Sequence, residues 1–358
     1  MNAAPLADSE TEDDFFSEYQ VVLNATRLRQ PVETVPAAIT VLDREMIEAS
    51  SATTIPELLR YIPGFQVSYL GGNEIIPGFH GIADEYARRT QLLIDGRPAF
   101  NQTFAGSLLW STLPVSLDDI ERVEVVRSPN SASYGTNAFM GSINFVTRVA
   151  AGELGSSVRL DAGSDDLVMT NLRHSGRNED ADYSRSVRYE KGSGLPMRDD
   201  DMQGAFLNVY GGWQINSKNR LELSAGYTKD QEWIGGGLVF WGRLSHRQTI
   251  SHYQQVRWQH IDAVDDEWQL TLGHNNLDVE GAGRHSEPVW IHYLDNDSSD
   301  RLSLDIQRVQ RVNDGVRLAW GGSLIHDTIK GKYYYTIYDY WPHDEGSMTQ
   351  YSLFANAE

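Results

Sequence analysis

The chain contains no cysteine among its 358 residues, which excludes disulfide bonds, thiolate metal ligands and cysteine nucleophiles. It has no uninterrupted apolar run of about 18 residues, the length that a membrane-spanning helix requires. Basic residues are scarce, because 30 lysines and arginines stand against 50 aspartates and glutamates and leave a formal net charge of −20. Non-specific binding of nucleic acid depends on cations that neutralise phosphates, so nucleic acid is a poor candidate for a partner.

Tyrosine and tryptophan are abundant in a chain that is polar on average. There are 17 tyrosines and 9 tryptophans, while the mean hydropathy is −0.44. A membrane-spanning β-barrel has this composition, because lipid-facing and lumen-facing residues alternate along each strand and aromatic residues line both membrane boundaries. A soluble, aromatic-rich β protein has the same composition, so composition alone leaves both classes open.

The first 18 residues contain six acidic side chains and no basic one. A short segment of one charge sign predicts a mobile, solvated arm. The strand-capable run Val21-Val22-Leu23 follows this arm. On the residues alone two interpretations stay open: the run is the first strand of the next domain, or it is an extended segment that adds to the sheet edge of a partner protein.

Helix and strand signals alternate between residues 30 and 148, which indicates one compact unit. Asp43 is a candidate N-cap for a helix over 44–47, and Thr54 with Glu57 predicts a capping box at the start of a second helix. Pro63-Gly64 ends that second helix. Residues 116–148 predict a strand rich in valine and isoleucine, a loop of small residues and a second strand over 143–146.

Four segments of this unit resemble, in the same order, the plug domain of the TonB-dependent outer-membrane transporters. Residues 56–65 read PELLRYIPGF, residues 76–81 read IPGFHG, residues 92–98 read LLIDGRP, and residues 120–148 contain IERVEVVRSPN, ASYG and GSIN. Pro77 and Ser128 depart from the family pattern, which usually has arginine and glycine there. Residues 18–25 resemble the TonB box, with Leu23-Asn24 in place of the more common valine and threonine.

After residue 150 the pattern changes to alternation with a period of two. Runs such as 221–228, 268–273 and 302–307 alternate apolar with polar residues, which predicts antiparallel strands with one apolar face. A soluble sandwich alternates in the same way, but the plug-like unit ahead of these strands favours a membrane barrel. Residues 151–358 hold roughly eight to ten spans, fewer than the about 22 strands of plugged outer-membrane transporters, so we expect an incomplete barrel.

No pattern of residues that carries catalysis is present. The chain lacks H-E-x-x-H, G-x-S-x-G, the P-loop and the glycine-rich dinucleotide motif. The acidic run 295–300 begins like a calcium loop, but its sixth position is not glycine and its twelfth is not glutamate, so we expect a solvated loop. We therefore expect no enzymatic activity, no metal site and no cofactor.

The resemblance implies an α+β plug domain followed by an antiparallel transmembrane β-barrel that is incomplete in this chain. It divides the chain into an acidic arm with the TonB-box-like segment (1–29), a plug (30–150) and the first part of the barrel (151–358). The implied location is the outer membrane of a Gram-negative-type bacterium, with lipid around the barrel and with the plug and arm reached from the periplasm.

The resemblance also implies a function. It is active transport, in which a scarce ligand, most often a ferric siderophore in this family, binds outside and enters the periplasm with energy transmitted by TonB of the inner-membrane complex. The alternative is a non-transporting outer-membrane binding protein or adhesin with a plug-like domain.

Three sets of candidate site residues follow from the resemblance and from charge patterning. The TonB-box-like segment that binds the partner comprises Glu18, Tyr19, Gln20, Val21, Val22, Leu23, Asn24 and Ala25. Candidates for ligand contact in the apical loops of the plug are Tyr69, Asn73, Glu74, Asn101, Gln102, Phe104 and Trp110. Candidates for ion pairs between plug and barrel are Glu121, Arg122, Glu124 and Arg127, and purely local cross-strand pairing of these four is the alternative.

Overall fold

The computed structural model describes most of the chain, in fifteen stretches. They are residues 21–22, 27, 30–31, 35, 37–71, 74–83, 89–99, 110–148, 154–194, 200–234, 243–263, 265–285, 291–313, 315–335 and 343–357. None of the helices in these stretches is long and apolar enough to cross a membrane.

The N-terminal part, which we call the plug, mixes short helices with short strands. Its strands are β1 (Val21–Val22), β2 (Gln30–Pro31), β3 (Ile39–Leu42), β4 (Phe65–Gly71), β5 (Glu74–Phe79), β6 (Ile82–Ala83), β7 (Thr90–Ile94), β8 (Arg97–Pro98), β9 (Ile120–Val126) and β10 (Gly141–Thr147). Its α-helices are Arg44–Ala49, Ile55–Leu58 and Ser131–Tyr134, with single 3₁₀ turns at Leu59–Tyr61, Trp110–Thr112, Leu117–Asp119 and Thr136–Ala138.

The central sheet of the plug has the strand order β3-β9-β10-β7-β8. Strands β10 and β7 run parallel, and the other neighbours are antiparallel. A smaller sheet joins β4, β5 and β6, and β1 pairs with β2. The two strands that the sequence predicted over 116–148 are confirmed, and β9 pairs with β10 from Val126 opposite Ser142 to Ile120 opposite Thr147. The predicted loop between them is instead a short helix, Ser131–Tyr134, followed by the 3₁₀ turn Thr136–Ala138.

The predicted helix starts are also present. The side chain of Asp43 accepts a hydrogen bond from the Met46 backbone N–H at 2.8 Å, and Glu57 Oε2 accepts from the backbone N–H groups of Thr53 and Thr54 at 2.8 and 3.3 Å. Leu58 and Leu59 are fully buried between the helices and the central sheet. They belong to a core of seventeen buried apolar residues.

The C-terminal part is one antiparallel sheet of ten strands, which we call the wall. Its strands follow one another in sequence order: β11 (Gly155–Ala162), β12 (Val168–Arg177), β13 (Ala181–Gly192), β14 (Met202–Asn216), β15 (Asn219–Ile234), β16 (Arg243–Ala263), β17 (Asp266–His285), β18 (Ile291–Asn313), β19 (Val316–Tyr335) and β20 (His343–Ala357). Strands β11 and β20 are its two edges.

The connections of the wall differ in length at its two ends. At one end, residues 178–180, 217–218, 264–265 and 314–315 join neighbouring strands. At the other end, the joining segments are 163–167, 193–201, 235–242, 286–290 and 336–342. Short connections at one end and longer ones at the other are typical of outer-membrane barrels, whose short connections face the periplasm.

One sequence prediction fails in the wall. The run 295–300 is not a loop but part of β18, where it pairs with β17 on one side and β19 on the other. Backbone pairing with two long neighbours satisfies the peptide groups of the run, which lies toward the end of β18 where the longer connections are. The aspartate, asparagine and serine residues of this run are common in turns, which is why the sequence predicted a loop. Strand propensity depends strongly on the neighbouring strands, and here the two neighbours decide the structure.

The two faces of the wall have opposite character. On the face turned away from the plug, large apolar side chains are exposed, among them Val158, Leu172, Val187, Leu207, Leu223, Val256, Leu272, Leu302 and Leu353. On the face turned toward the plug, the buried side chains are mostly polar, among them Asn171, Arg173, Ser184, Ser186, Thr228, Gln255 and Asn275. A strand wall with an apolar outer face and a polar inner face is what a lipid-embedded barrel requires.

Candidate functional site: the contact between plug and wall

Asp119, at the end of the 3₁₀ turn Leu117–Asp119, joins the plug to strands β12 and β13. Its Oδ1 lies 3.1 Å from Arg173 Nη1, and both side chains are almost fully buried. Its Oδ2 accepts hydrogen bonds from Ser186 Oγ of the wall at 2.9 Å and from Ser116 Oγ of the plug at 2.8 Å. One carboxylate thus satisfies donors on both sides of the contact.

Asp118 makes a second, more exposed contact with the wall. Its Oδ2 accepts from Asn171 Nδ2 at 2.7 Å, and its Oδ1 lies 3.2 Å from Arg159 Nη1. Arg159 keeps 47% of its side-chain surface exposed, so this pair is solvated and contributes little.

Arg97 of β8 carries a contact of a different kind. Its guanidinium lies 3.9 Å from the ring centroid of Tyr253 in β16, and its Nη1 donates to Asn275 Oδ1 in β17. All three side chains are buried, and the Tyr253 hydroxyl donates to Asn208 Oδ1 of β14 at 2.7 Å. In the described residues no carboxylate lies within ion-pair distance of Arg97, so here the wall holds a plug cation through a ring and an amide.

A polar cavity of about 80 Å³ lies between these contacts. Plug residues Asp95, Asp119 and Arg148 and wall residues from β12 to β16 line it. Arg257 of β16 reaches across to donate to the Asp95 backbone oxygen, and it pairs with Glu222 at 3.3 Å. The plug therefore meets the wall through charged and hydrogen-bonded groups rather than through an apolar core.

Arg27 ties the chain just after the TonB-box-like segment to both parts. Its Nε donates to the Ser133 backbone oxygen of the plug at 3.0 Å, and its Nη1 lies 3.1 Å from Asp305 Oδ2 of β18. Its own backbone oxygen accepts from Gln307 Nε2 at 3.0 Å, and its guanidinium lies 4.1 Å from the ring centroid of Phe354 in β20. Arg27 was absent from the sequence-based candidates, although its place directly behind the segment and its charge were visible in the sequence.

Three of the four residues predicted to pair with the barrel have ion pairs inside the plug among the described contacts. Arg122 Nη2 lies 2.8 Å from Glu124 Oε1, and Glu121 Oε2 lies 3.9 Å from Arg148 Nε. Arg127 donates its backbone N–H to Ala38 O at 2.8 Å. Arg122 and Glu124 lie on one strand rather than on opposite strands, while Asp118 and Asp119, directly before the predicted strand, make charged contacts with the wall. A role of the four in holding the barrel stays a prediction.

Two of the predicted ligand contacts are described with their side chains. Tyr69 of β4 is 48% exposed, and its hydroxyl donates to Glu57 Oε1 at 2.6 Å. Burial and this hydrogen bond raise the pKa of Tyr69 to about 12. Burial also raises the pKa of Glu57, but the hydrogen bonds from Tyr69, Thr53 and Thr54 outweigh it and bring the pKa below its usual value.

Trp110 is half-buried and lines a small apolar groove on the plug together with Phe65, Phe79, Ile82 and Arg89. Its 3₁₀ turn contacts strands β15 and β16 of the wall. Tyr69 thus lies on an exposed hairpin of the plug, and Trp110 lies where the plug meets the wall. Ligand contact by either residue stays a prediction.

The remaining predicted residues are only partly covered. Glu74 is the first residue of β5, and Val21 with Val22 forms β1, but the side chains of these three are not described. Asn73, Asn101, Gln102 and Phe104, and likewise Glu18, Tyr19, Gln20, Leu23, Asn24 and Ala25, lie outside the described residues. In the described part of the chain, no group of three or more histidine, aspartate or glutamate side chains is arranged to hold a metal ion.

Known proteins share both the plug domain and its combination with a barrel wall. The family model described as the TonB-dependent receptor plug domain matches residues 31–142. Together with the relatives and solved structures below, this match confirms the class that the sequence predicted, a TonB-dependent outer-membrane receptor. The predicted fold, a plug with an antiparallel barrel wall, and the location in the outer membrane are confirmed with it.

Two curated relatives are vitamin B12 transporters named BtuB. The protein from Vibrio vulnificus is 35% identical over 150 residues, and the protein from Photobacterium profundum is 36% identical over 151 residues. Each match covers 40% of this chain and 23% of the relative. The chain therefore matches about a quarter of the length of these transporters.

Two solved structures share the fold at low sequence identity. The ferripyoverdine receptor of the Pseudomonas aeruginosa outer membrane superposes with a TM-score of 0.77 at 16% identity, covering 94% of this chain and 51% of the receptor. The ferric yersiniabactin uptake receptor FyuA of Yersinia pestis gives 0.61 at 15% identity, covering 89% and 61%. These likenesses concern the fold, and the chain spans between half and two thirds of each receptor.

Proposed function

We propose that the protein is an active transporter, which binds a scarce ligand at the outer face and admits it to the periplasm when TonB pulls on the arm. The observation that carries this proposal is the polar contact between plug and wall. A plug held by ion pairs and hydrogen bonds exchanges those bonds for bonds to water when it shifts, so displacement costs far less than the rupture of an apolar core. Such a plug blocks the barrel at rest and still yields to force.

The arm is suited to receive that force. Val21 and Val22 pair with Pro31 and Gln30 in a sheet of two short strands, and such a segment can offer its other edge as a strand to the sheet of a partner. The main-chain hydrogen bonds along the added strand would supply the affinity. Arg27 fastens the chain immediately behind this segment to the plug and to β18 and β20. Tension applied to residues 18–25 therefore reaches Arg27 before it reaches the plug sheet.

The ligand that we propose is a metal chelate, with a ferric siderophore as the first candidate. Solved structures with this fold include receptors whose names specify ferripyoverdine and ferric yersiniabactin. Cobalamin is the second candidate, because the curated relatives at 35% and 36% identity are named as vitamin B12 transporters.

Deletion of residues 18–28 in the full-length protein tests the proposal. We expect binding of ferric siderophore or cobalamin at the cell surface to stay unchanged, and energy-dependent uptake of the bound ligand to be lost. Deletion of residues 8–17, an acidic stretch ahead of the segment, is the matched control and should leave uptake intact. A non-transporting binding protein or adhesin keeps its activity in both deletions, and that result would refute transport.

Weakening the attachment of Arg27 should expose the arm. Asp305→Asn removes the charge that lies 3.1 Å from Arg27 Nη1, in a pair that is only partly exposed. Such a pair contributes up to about 1 kcal/mol. We therefore expect the reporter cysteine of Val21→Cys to react with a thiol reagent about fivefold faster when Asp305→Asn is also present than when Asp305 is kept. Asp300→Asn, on the same strand but on the outer face, is the control, and equal rates in the two variants would contradict the attachment.

A further inference from the structure

The central sheet of the plug has two edges with different surroundings. Strand β3 forms one edge, and among the described strands it pairs with β9 alone, from Ile39 opposite Val126 to Leu42 opposite Val123. It is the first strand of this sheet along the chain and therefore the first that tension on the arm reaches. Strand β8 forms the opposite edge, and its Arg97 contacts the wall.

The contact at β8 is buried, beside a small cavity of about 20 Å³ that Arg97, Pro114, Tyr253 and Asn275 help to line. Arg97 is 6% exposed and Tyr253 is 6% exposed, and their separation of 3.9 Å is that of a guanidinium stacked on a ring. Gly226 of β15 makes this approach possible, because a Cβ at that position would lie 2.4 Å from the Tyr253 ring and 3.0 Å from Pro114 Cβ of the plug. Plug and wall therefore meet here with no space for a side chain between them.

The chemistry of this contact differs from that of the other attachments. Asp118, Asp119 and Arg27 hold the wall through carboxylate–guanidinium pairs, which water and ions compete for once they become accessible. The Arg97 contact uses a ring and an amide, and a desolvated cation on an aromatic face keeps its attraction without a counter-charge. It is also the contact farthest, in strand order, from the edge that the arm pulls.

We propose that Arg97 and Tyr253 form a fixed clamp, which keeps the β8 edge of the central plug sheet on the wall while tension on the arm separates β3 from the opposite edge. The plug then opens by losing β3 and stays attached through β8, β7 and β10. This inference rests on the proposed function, because it assigns the part of the plug that moves when the arm is pulled.

Cysteine labelling in the full-length receptor, in outer membranes with a working TonB system, tests the clamp. This stretch of chain has no cysteine, so each introduced thiol reports alone within it. Val41→Cys reports on β3 and Ser142→Cys on β10, and both positions are buried at rest. We expect the energised receptor to label Val41→Cys at least about tenfold faster than the de-energised one, with Ser142→Cys protected in both.

Tyr253→Leu should remove the clamp and make Ser142→Cys label about tenfold faster in the energised receptor, since the ring is lost. Tyr253→Phe keeps the ring and should keep the protection. Tyr227→Leu replaces an exposed tyrosine on the outer-face register of β15 and is the control for a general effect on the wall. Arg97→Gln repeats the test from the plug side, and membrane abundance of each variant verifies assembly.

The outcomes separate the two proposals. Equal labelling of both reporters in the energised wild type, or continued protection of Ser142→Cys in Tyr253→Leu and Arg97→Gln, would overturn the clamp and leave force-driven opening in place. Absence of labelling at Val41→Cys in energised wild-type membranes would overturn force-driven opening itself.

Discussion

Asp119→Ala is expected to cost the plug about 3–5 kcal/mol of its attachment to the wall, the usual penalty for removing one partner of a buried ion pair. The substitution leaves Arg173 almost fully buried without its carboxylate, and it removes the acceptor of Ser186 Oγ and Ser116 Oγ. The loss should appear as release of the plug at lower denaturant concentration in the full-length receptor, read from protease cleavage within residues 110–148.

Two further variants decide whether the charge of Asp119 is responsible. Asp118→Ala removes the neighbouring carboxylate, whose arginine partner is half exposed, and should cost less than about 1 kcal/mol. The double variant Asp119→Ala/Arg173→Ala removes both buried charges, so that no unpaired guanidinium remains. Its loss of stability should therefore be smaller than the added losses of the single variants Asp119→Ala and Arg173→Ala. Additive losses, or equal losses for Asp118 and Asp119, would show that Asp119 does not act through Arg173.

The plug could be predicted from the sequence in considerable detail. The caps at Asp43 and Thr54, the strand β9 and the return strand β10 are local features, in which side-chain chemistry and backbone geometry agree within a few residues. The alternation after residue 150 predicted an antiparallel sheet for the same reason, because period two is a property of each strand by itself. Where a local signal misled, at 295–300, pairing with two neighbouring strands overrode the turn propensity of aspartate, asparagine and serine.

The contact between plug and wall could not be predicted to the same extent. Asp119 lies 54 residues from Arg173, and Arg97 lies 178 residues from Asn275, so no spacing in the sequence joins them. Charge alternation over 121–127 indicated candidates that face the wall, but in the described residues Arg122 and Glu124 pair with each other on the same strand, and their pairing with the barrel stays a prediction. The sequence indicated that charged residues near the end of the plug matter, but which of them face the wall depends on how the 3₁₀ turn Leu117–Asp119 orients them.

Gly141→Ala is expected to destabilise the plug by about 3 kcal/mol or more, at the upper end of the range for overpacking, because the added methyl group meets backbone rather than a movable side chain. A Cβ at residue 141 would lie 2.3 Å from the Val126 backbone oxygen, and the φ of +157° is unfavourable for a residue with a side chain. Val126 is paired with both Ser142 and Ile39, so displacing it disturbs three strands of the central sheet.

Gly96→Ala and Gly192→Ala separate the causes of that loss. Gly96 has a φ of +77° with open space around it, so alanine there should cost only the backbone term of about 1 kcal/mol. Gly192 lies in β13, has no positive φ and would bring its Cβ no closer than 3.5 Å to Leu167, so its substitution should be nearly neutral. Thermal release of the plug in the full-length receptor should therefore occur earliest in Gly141→Ala and latest in Gly192→Ala. If Gly141→Ala behaved like Gly96→Ala, the close approach of β10 to Val126 would not be a feature of the folded protein.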